Sequence, residues 1–192
     1  MKMQHYFFLS FLLFTIVSCT VDVPDEEYDT QEPQFSFTVE GDGFSHTFTE
    51  SDDFDSFQLN LKQNVDYDFT FSGSDDEALN ILQWNYPSGL SVGTSVWLSD
   101  ELPEGWRKTN RYQNTPYGDS VVFEGNNETP VTHTELQGQF SIYSGFDDLT
   151  LYHYFSVTNF DAANDDEHIS EGRLRINLVS IDQPTELVYI ND

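Results

Sequence analysis

The residues best suited to contact a ligand lie between Trp97 and Tyr117, where large aromatic and basic side chains are interleaved. This stretch carries half of the six bases that follow Cys19. Flat rings stack on sugar rings or fill a partner's pocket, and guanidinium groups donate hydrogen bonds to carboxylate or hydroxyl oxygens. The sequence therefore suggests the following candidate ligand-binding residues: Trp97, Trp106, Arg107, Arg111, Tyr112 and Tyr117.

The same stretch also has a purely structural interpretation. Residues 98–119 lack an alternating pattern and contain two prolines and two glycines, which predicts one long loop. In this interpretation Trp97 and Trp106 fold back onto the core as a lid, and the bases pair with neighbouring acids. The burial of the two tryptophan rings distinguishes the two interpretations.

Catalytic chemistry has no comparable support in the sequence. His46 and His153 each lie between apolar residues two positions away, which is typical of histidines in or beside a core. Arg173 and Arg175 alternate with apolar residues, which predicts the solvent side of a strand. The chain contains no H-E-x-x-H or G-x-S-x-G motif. No catalytic residue is assigned, and a secreted hydrolase with paired carboxylates is the third functional hypothesis.

One acidic loop has the composition of a weak calcium site. Calcium takes six to eight oxygen ligands, and the loop offers four candidates: Asp161, Asp165, Asp166 and Glu167. The spacing does not follow the EF-hand pattern, because Asp166 stands where that pattern requires glycine. The alternative is a solvated acidic loop that adds to solubility. We therefore predict no cofactor and leave a structural calcium ion open.

The overall charge excludes nucleic acid as a partner. The chain has 7 Lys and Arg against 34 Asp and Glu, a formal net charge of -27. Binding to a phosphate backbone needs clustered bases that displace counterions, and these are too few. The single cysteine excludes a disulfide framework. Aromatic residues make up 16% of the chain and alanine is rare, which favours strands over helices.

The first residues have the composition of a secretory signal. Lys2 precedes an apolar run from Tyr6 to Val17, which is too short for the roughly 20 residues that span a bilayer. The run ends in Ile16-Val17-Ser18-Cys19, and here the chain resembles a bacterial lipoprotein precursor of the signal peptidase II type. The resemblance implies cleavage before Cys19 and acylation (diacylglycerol and palmitate-like chains) of that residue. Several acyl chains anchor a domain to a membrane durably. The alternative is an ordinary secreted protein.

The next segment, residues 19–33, predicts an acidic flexible tether. It contains six acids, no base and two prolines, and it buries too little apolar surface to offset its chain entropy. It is similar to the acidic stretch behind the acylated cysteine of some surface-displayed lipoproteins. Thr20 follows Cys19 instead of the aspartate that commonly retains lipoproteins at the inner membrane. These resemblances imply an outer-membrane location and open the prospect of exposure at the cell surface.

From Phe35 onward apolar residues recur at every second position, the period of a half-buried strand. Residues 35–40 and 44–49 flank Gly41-Asp42-Gly43 and predict a hairpin, and residues 57–61 and 65–71 predict a second. Further strands are predicted at 80–86, 90–98, 119–124, 129–135, 138–143, 149–157, 173–181 and 186–190. No helical stretch of ten residues is available for crossovers, so the strands are expected to pair largely antiparallel.

A resemblance to immunoglobulin-like and polycystic-kidney-disease-type modules covers about 25 residues. Val65 to Ser74, the acids that follow and Trp84 are similar to the second strand, loop and third strand of those modules. The resemblance implies that Trp84 packs between two sheets. The fold class is therefore predicted as all-β, an antiparallel β-sandwich of the immunoglobulin-like or jelly-roll-like kind, with a β-barrel as the alternative. Residues 1–18 form the signal peptide and residues 34–192 a single domain.

These observations lead to a functional hypothesis. The protein is expected to be a non-enzymatic, lipid-anchored envelope protein that binds carbohydrate or protein. The alternative is a structural or accessory subunit of an envelope assembly. The expected partners are the membrane, through acylated Cys19, and a carbohydrate or protein ligand, and nucleic acid is excluded.

Overall fold

The computed structural model describes residues 31–110, 118–146, 149–160 and 168–190. Within these residues the regular secondary structure is almost entirely strand, and none of them forms a helix long and apolar enough to cross a membrane. The described strands are β1 (Gln34–Gly41), β2 (Phe44–Thr49), β3 (Phe57–Lys62), β4 (Tyr67–Ser74), β5 (Leu79–Tyr86), β6 (Val92–Leu98), β7 (Trp106–Asn110), β8 (Asp119–Glu124), β9 (His133–Ser144), β10 (Thr150–Asn159), β11 (Ile169–Val179) and β12 (Glu186–Tyr189).

The strands form two packed sheets that do not close into a barrel, so the predicted β-sandwich is confirmed. The five-stranded sheet has the order β2-β1-β4-β9-β6, and the seven-stranded sheet has the order β12-β3-β11-β10-β5-β8-β7. Nearly all neighbours are antiparallel, as predicted. The exception is β3, which pairs parallel with β11 through Leu59 opposite Ile176. The chain crosses between the two sheets several times from β3 to β10, and β11 then pairs with β3 although the two strands are far apart in sequence.

The first predicted hairpin is confirmed. β1 and β2 pair antiparallel from Ser36 opposite Thr49 to Gly41 opposite Phe44. The turn needs left-handed backbone, since Asp42 has a φ of 51° and Gly43 a φ of 78°. Glycine adopts this conformation without steric cost. The Gly41-Asp42-Gly43 sequence therefore specifies the register of the whole hairpin.

The second predicted hairpin is wrong, because β3 lies in the seven-stranded sheet and β4 in the five-stranded sheet. The apolar sides of both strands are buried in the core, each from its own sheet. Tyr67 stabilises the corner between them. Its hydroxyl group accepts a hydrogen bond from the Lys62 backbone N–H at 3.0 Å and lies 2.9 Å from Thr185 Oγ1. Lys62 Nζ in turn lies 2.7 Å from Asp42 Oδ2.

One aromatic-rich core joins both sheets. Trp84 on β5 is fully buried, with its ring centroid 4.9 Å from those of Phe37 and Phe69 on the opposite sheet. This position between the sheets is the one that the sequence predicted for Trp84. Burying an aromatic side chain stabilises a fold by roughly 1.5–3 kcal/mol. The density of such rings therefore contributes strongly to the stability of the sandwich, beside the buried aliphatic residues.

Two further predictions are corrected. The predicted loop at residues 98–119 contains β7, which pairs with β8 from Trp106 opposite Phe123 to Asn110 opposite Asp119. The separate strands predicted at 129–135 and 138–143 are one strand, β9. Gly138 lies within β9, and a Cβ atom at this position would lie 2.6 Å from the Trp97 carbonyl oxygen on the neighbouring strand. Glycine here allows close strand packing.

Candidate functional site

The residues predicted between Trp97 and Tyr117 do not share one surface. Trp106 is only 6% exposed, and its ring packs against Phe71 and Phe123. Its Nε1 donates a hydrogen bond to Thr134 Oγ1 at 2.8 Å, which satisfies the one polar atom of the ring. A buried ring cannot stack on a ligand at the surface. The prediction for Trp106 is therefore corrected to a role in the core.

Trp97 and Arg107 lie on different faces of the sandwich. Trp97 is 50% exposed on the outer face of the five-stranded sheet, opposite Gln139. Arg107 belongs to the seven-stranded sheet and forms an ion pair with Glu124 on the neighbouring strand. Lys108 donates a hydrogen bond to the Val96 carbonyl oxygen at 2.9 Å and ties the edges of the two sheets together. The predicted aromatic and basic surface is thus divided.

The remaining predicted site residues lie outside the described residues. They are Cys19, Arg111, Tyr112, Tyr117 and the calcium candidates Asp161, Asp165, Asp166 and Glu167. Within the described ranges no group of three or more His, Cys, Asp or Glu side chains is arranged to hold a metal ion. Asp75, in a second acidic loop, has a structural role there. Its Oδ1 accepts hydrogen bonds from the backbone N–H groups of Glu77 and Ala78 at 3.0 and 2.9 Å.

Among the residues that the structure describes, aromatic and basic side chains suited to ligand contact come together on the outer face of the seven-stranded sheet. Tyr152 and Tyr154 on β10 lie directly opposite Arg175 and Arg173 on β11. We call these four residues the tyrosine–arginine face. Side chains on one face of adjacent strands are neighbours, because strands lie about 4.8 Å apart. The alternation of the two arginines with apolar residues predicts only that they lie on the solvent side of a strand.

Contacts with neighbouring side chains fix the positions of the residues on the tyrosine–arginine face. The Arg173 Cζ atom lies 5.1 Å from the centroid of the Tyr152 ring, a cation–π contact, and its Nη2 lies 3.1 Å from Asp55 Oδ1. The rings of Tyr152 and Tyr154 are 6.4 Å apart and inclined by 40°. Arg173 is therefore positioned from two sides, although half of its side chain is exposed.

A cleft of about 680 Å³ opens beside the tyrosine–arginine face. One wall is the loop of residues 52–55, and the floor is the sheet. Three strands contribute a row across the floor, because Tyr154 lies opposite Arg173 on one side and Asn85 on the other. A second row contains Ser156 and Glu171. The cleft thus combines one aromatic ring with several hydrogen-bonding groups.

The loop reaches the sheet because residue 172 is glycine. A Cβ atom there would lie 2.7 Å from Phe54 Cε2 and 2.7 Å from Phe35 Cζ. The Phe54 ring stacks against that of Phe35, the second residue of β1, with a distance of 6.4 Å between the ring centroids. Glu50 accepts a hydrogen bond from the Phe35 backbone N–H at 3.2 Å. The cleft therefore lies at the end of the sandwich where β1 begins.

His153 confirms the prediction of a core histidine. It is fully buried between the sheets, and its Nε2 lies 3.0 Å from Thr94 Oγ1. Burial lowers the pKa of His153 from 6.5 to about 3, because the charged imidazolium is disfavoured away from water. His153 is therefore neutral in the folded protein near pH 7 and is remote from solvent, so it is not a candidate catalytic base.

No protein-family model matches the chain, and none of the curated proteins matches it at a significant level. A function for this protein is therefore inferred from the chemistry and arrangement of its side chains. A sequence signal for the tyrosine–arginine face does exist, since Tyr152-His153-Tyr154 and Arg173-Leu174-Arg175 place like residues two positions apart. Each pattern puts two side chains on one strand face. Only the pairing of β10 with β11 brings the two patterns together.

Proposed function

We propose that this protein is a non-enzymatic, lipid-anchored component of the outer membrane that binds carbohydrate through the tyrosine–arginine face and the cleft beside it. The row of Asn85, Tyr154 and Arg173 is the observation that carries the proposal. An aromatic ring flanked by amide and guanidinium donors can stack on one face of a sugar while its neighbours bind the ring hydroxyls. The cleft volume of about 680 Å³ lies within the range of small-molecule sites, about 300–1,000 Å³.

The acids of the cleft suit sugar hydroxyls as well. Asp52, Asp53, Asp55 and Glu171 line it, and each ionised carboxylate accepts hydrogen bonds without donating any. Sugar hydroxyl groups both donate and accept, so they pair with carboxylates as well as with Arg173. An apolar ligand would displace water from these carboxylates and offer them no hydrogen-bond donor in exchange, which costs free energy. The lining therefore favours a polyhydroxylated ligand over an apolar one.

The anchor part of the proposal rests on the lipoprotein-like sequence before Cys19 and the acidic tether after it. Residues 19–33 would span at most about 50 Å when extended, at roughly 3.4 Å per residue. Since the chain enters the sandwich beside the cleft, an anchored cleft would stay within that distance of the lipid surface. Mass spectrometry of the mature protein should find an acylated amino-terminal Cys19. Cys19→Ser should release the protein from the membrane fraction.

Carbohydrate binding is testable by screening the full-length protein in detergent on a glycan array and measuring each hit by titration. Tyr154→Ala should weaken binding of any hit at least tenfold, because the variant lacks the aromatic ring between Asn85 and Arg173 on which the sugar is proposed to stack. Trp97→Ala is the matched control, since it removes an exposed aromatic ring from the opposite sheet. Binding that is lost in Trp97→Ala and retained in Tyr154→Ala would reject the cleft. Unchanged thermal unfolding of both variants would exclude misfolding.

An envelope subunit is the second candidate, favoured by apolar side chains at the end of the sandwich opposite the cleft. Leu90 is 95% exposed and Phe146 is 62% exposed. Their loops meet, because the Gly145 backbone N–H donates a hydrogen bond to the Ser91 carbonyl oxygen at 2.8 Å. Exposed apolar clusters of this kind mark protein contacts. Crosslinking in intact cells that yields one stoichiometric partner, lost in Leu90→Ser, would favour the subunit.

A hydrolase is the third candidate, because several carboxylates line one cleft. Paired carboxylates across a glycosidic bond are the machinery of glycoside hydrolases. Incubation of each bound oligosaccharide with the protein, followed by measurement of new reducing ends, separates the two functions. Our proposal expects no turnover. Turnover abolished by Glu171→Gln would replace binding with hydrolysis.

A further inference from the structure

A second, smaller depression adjoins the cleft on the basic side of the tyrosine–arginine face. Its volume is about 50 Å³, and Tyr152, Arg173 and Arg175 line it. Phe54 and Asp55 line both the cleft and this depression, so the two are continuous. A water molecule occupies about 30 Å³ of liquid. The depression therefore accommodates one small functional group of a ligand that occupies the cleft.

The charges around the depression do not cancel. Arg173 is paired with Asp55 at 3.1 Å. Arg175 forms no ion pair with any residue in the described part of the chain, and its buried Nε has no hydrogen-bond partner there. On the outer face of β3, Gln58 and Asn60 are neutral amides joined by a 3.3 Å hydrogen bond. One positive charge is therefore left over in the depression.

Within the described ranges, an arginine with no partner is notable because acids outnumber bases about fivefold in the sequence. Of the five described bases, Lys62, Arg107 and Arg173 each have a carboxylate partner, and Lys108 donates a hydrogen bond to the Val96 carbonyl oxygen, which leaves Arg175 without a partner among the described residues. A partly buried guanidinium without one costs free energy that a bound anion would recover. The planar guanidinium fork matches the carboxylate group in particular, with two parallel hydrogen bonds.

We infer that the carbohydrate ligand is acidic and that Arg175 binds its carboxylate in this depression while the sugar ring occupies the cleft. The inference rests on the proposed carbohydrate-binding function and narrows it to sugars of the uronate class. The neutral hydroxyl groups of the ligand face Asn85, Tyr154 and the acids of the cleft. Asp55 lines both the cleft and the depression, but it is paired with Arg173, so the acid nearest to the ligand carboxylate has its charge compensated.

The test compares a panel of uronate oligosaccharides with the same oligosaccharides after chemical reduction of each carboxylate to a hydroxymethyl group. Titration of the full-length protein in detergent should show tighter binding of at least one acidic member than of its reduced counterpart, by about tenfold to 100-fold. That range is the effect of a charged hydrogen-bonded pair. Arg175→Gln should remove the preference, so that the variant binds each acidic sugar no more tightly than its reduced counterpart. Arg107→Gln is the control, because it removes an arginine from the same sheet outside the depression.

The outcomes separate this inference from the function on which it rests. Equal binding of acidic and reduced sugars, weakened by Tyr154→Ala but not by Arg175→Gln, would overturn the acidic ligand and keep carbohydrate binding. Preference for a sulfated oligosaccharide over every uronate would replace the carboxylate with sulfate. Failure of every sugar, acidic or reduced, to bind would reject both the function and the inference. Thermal unfolding of Arg175→Gln verifies that the variant is folded.

Discussion

Replacing His153 with leucine, together with Thr94→Val, tests how strongly one buried imidazole couples folding to pH. The double substitution removes both partners of a single hydrogen bond, which leaves no buried polar atom unpaired. Thr94→Val alone is the control, because it alters the same contact and retains the titratable ring. Leucine is apolar and close enough in volume to histidine to limit repacking.

The sign of the effect follows from the lowered pKa. The pKa of His153 is about 3 in the folded protein and 6.5 ordinarily, so between these values the unfolded chain binds a proton that the folded chain does not. Acid therefore favours the unfolded chain, and stability is lost as the pH falls below 6.5. Each pH unit well below 6.5 costs about 1.4 kcal/mol, so the loss from pH 8 to pH 5 is about 2 kcal/mol.

Urea unfolding at pH 8 and at pH 5 measures this loss. The stability difference between the two pH values should be about 2 kcal/mol smaller in the double variant than in the wild type and in Thr94→Val. The choice of pH 5 keeps most carboxylates ionised, so their contribution to the comparison is small. An identical pH dependence in all three proteins would refute the reasoning. So would an imidazole resonance of folded His153 that titrates between pH 5 and 7.

Three further outcomes are expected. Gly172→Ala should destabilise the protein by about 1–3 kcal/mol in urea unfolding, because the new Cβ meets the rings of Phe35 and Phe54 at 2.7 Å; an unchanged midpoint would contradict that packing. Trp106→Ala should lower the free energy of unfolding by about 3–5 kcal/mol in the same measurement, because the ring is buried. The folded variant should bind sugar with unchanged affinity. A loss of affinity in a folded variant would show that Trp106 has a role in binding. Asp42→Asn should be less stable than wild type at pH 7, because hydrogen bonds from Lys62 and Thr185 stabilise the charged carboxylate and lower the pKa of Asp42 from 3.8. The difference in unfolding free energy should vanish in acid, below the lowered pKa, where the carboxyl group of the wild type is protonated. A difference that persists there would point to packing instead.

The part of the fold set by local pattern was predictable. The β1–β2 hairpin follows from alternation on both arms and from a turn rich in glycine, and Asp119–Glu124 is a strand with the predicted bounds. The same alternation does not say which sheet a strand joins. β3 and β4 have the pattern of a hairpin, yet they belong to different sheets, and a corner at Tyr67 replaces the turn.

The candidate site was less predictable than the fold, because it depends on pairing between strands that are separated in sequence. Composition drew attention to Trp106, whose ring is in the core, since a tryptophan among bases looks the same whether its ring is exposed or buried. Alternation identified Arg173 and Arg175 as outward-facing residues. It could not show that Tyr152 and Tyr154 lie opposite them, which requires the register of β10 and β11.

The strong negative charge of the chain bears on how an acidic ligand would be recognised. A polyanion approaching a protein with a net charge of -27 is repelled at long range, but at physiological salt that repulsion is screened beyond about 8 Å. The contact between Arg175 and a ligand carboxylate is far shorter than this distance and is partly shielded from salt by burial. Recognition would then depend on fit within the depression and not on general electrostatic attraction. An acidic surface on which Arg175 has no ionic partner among the described residues therefore favours binding of a particular acidic sugar over binding of anionic polymers in general.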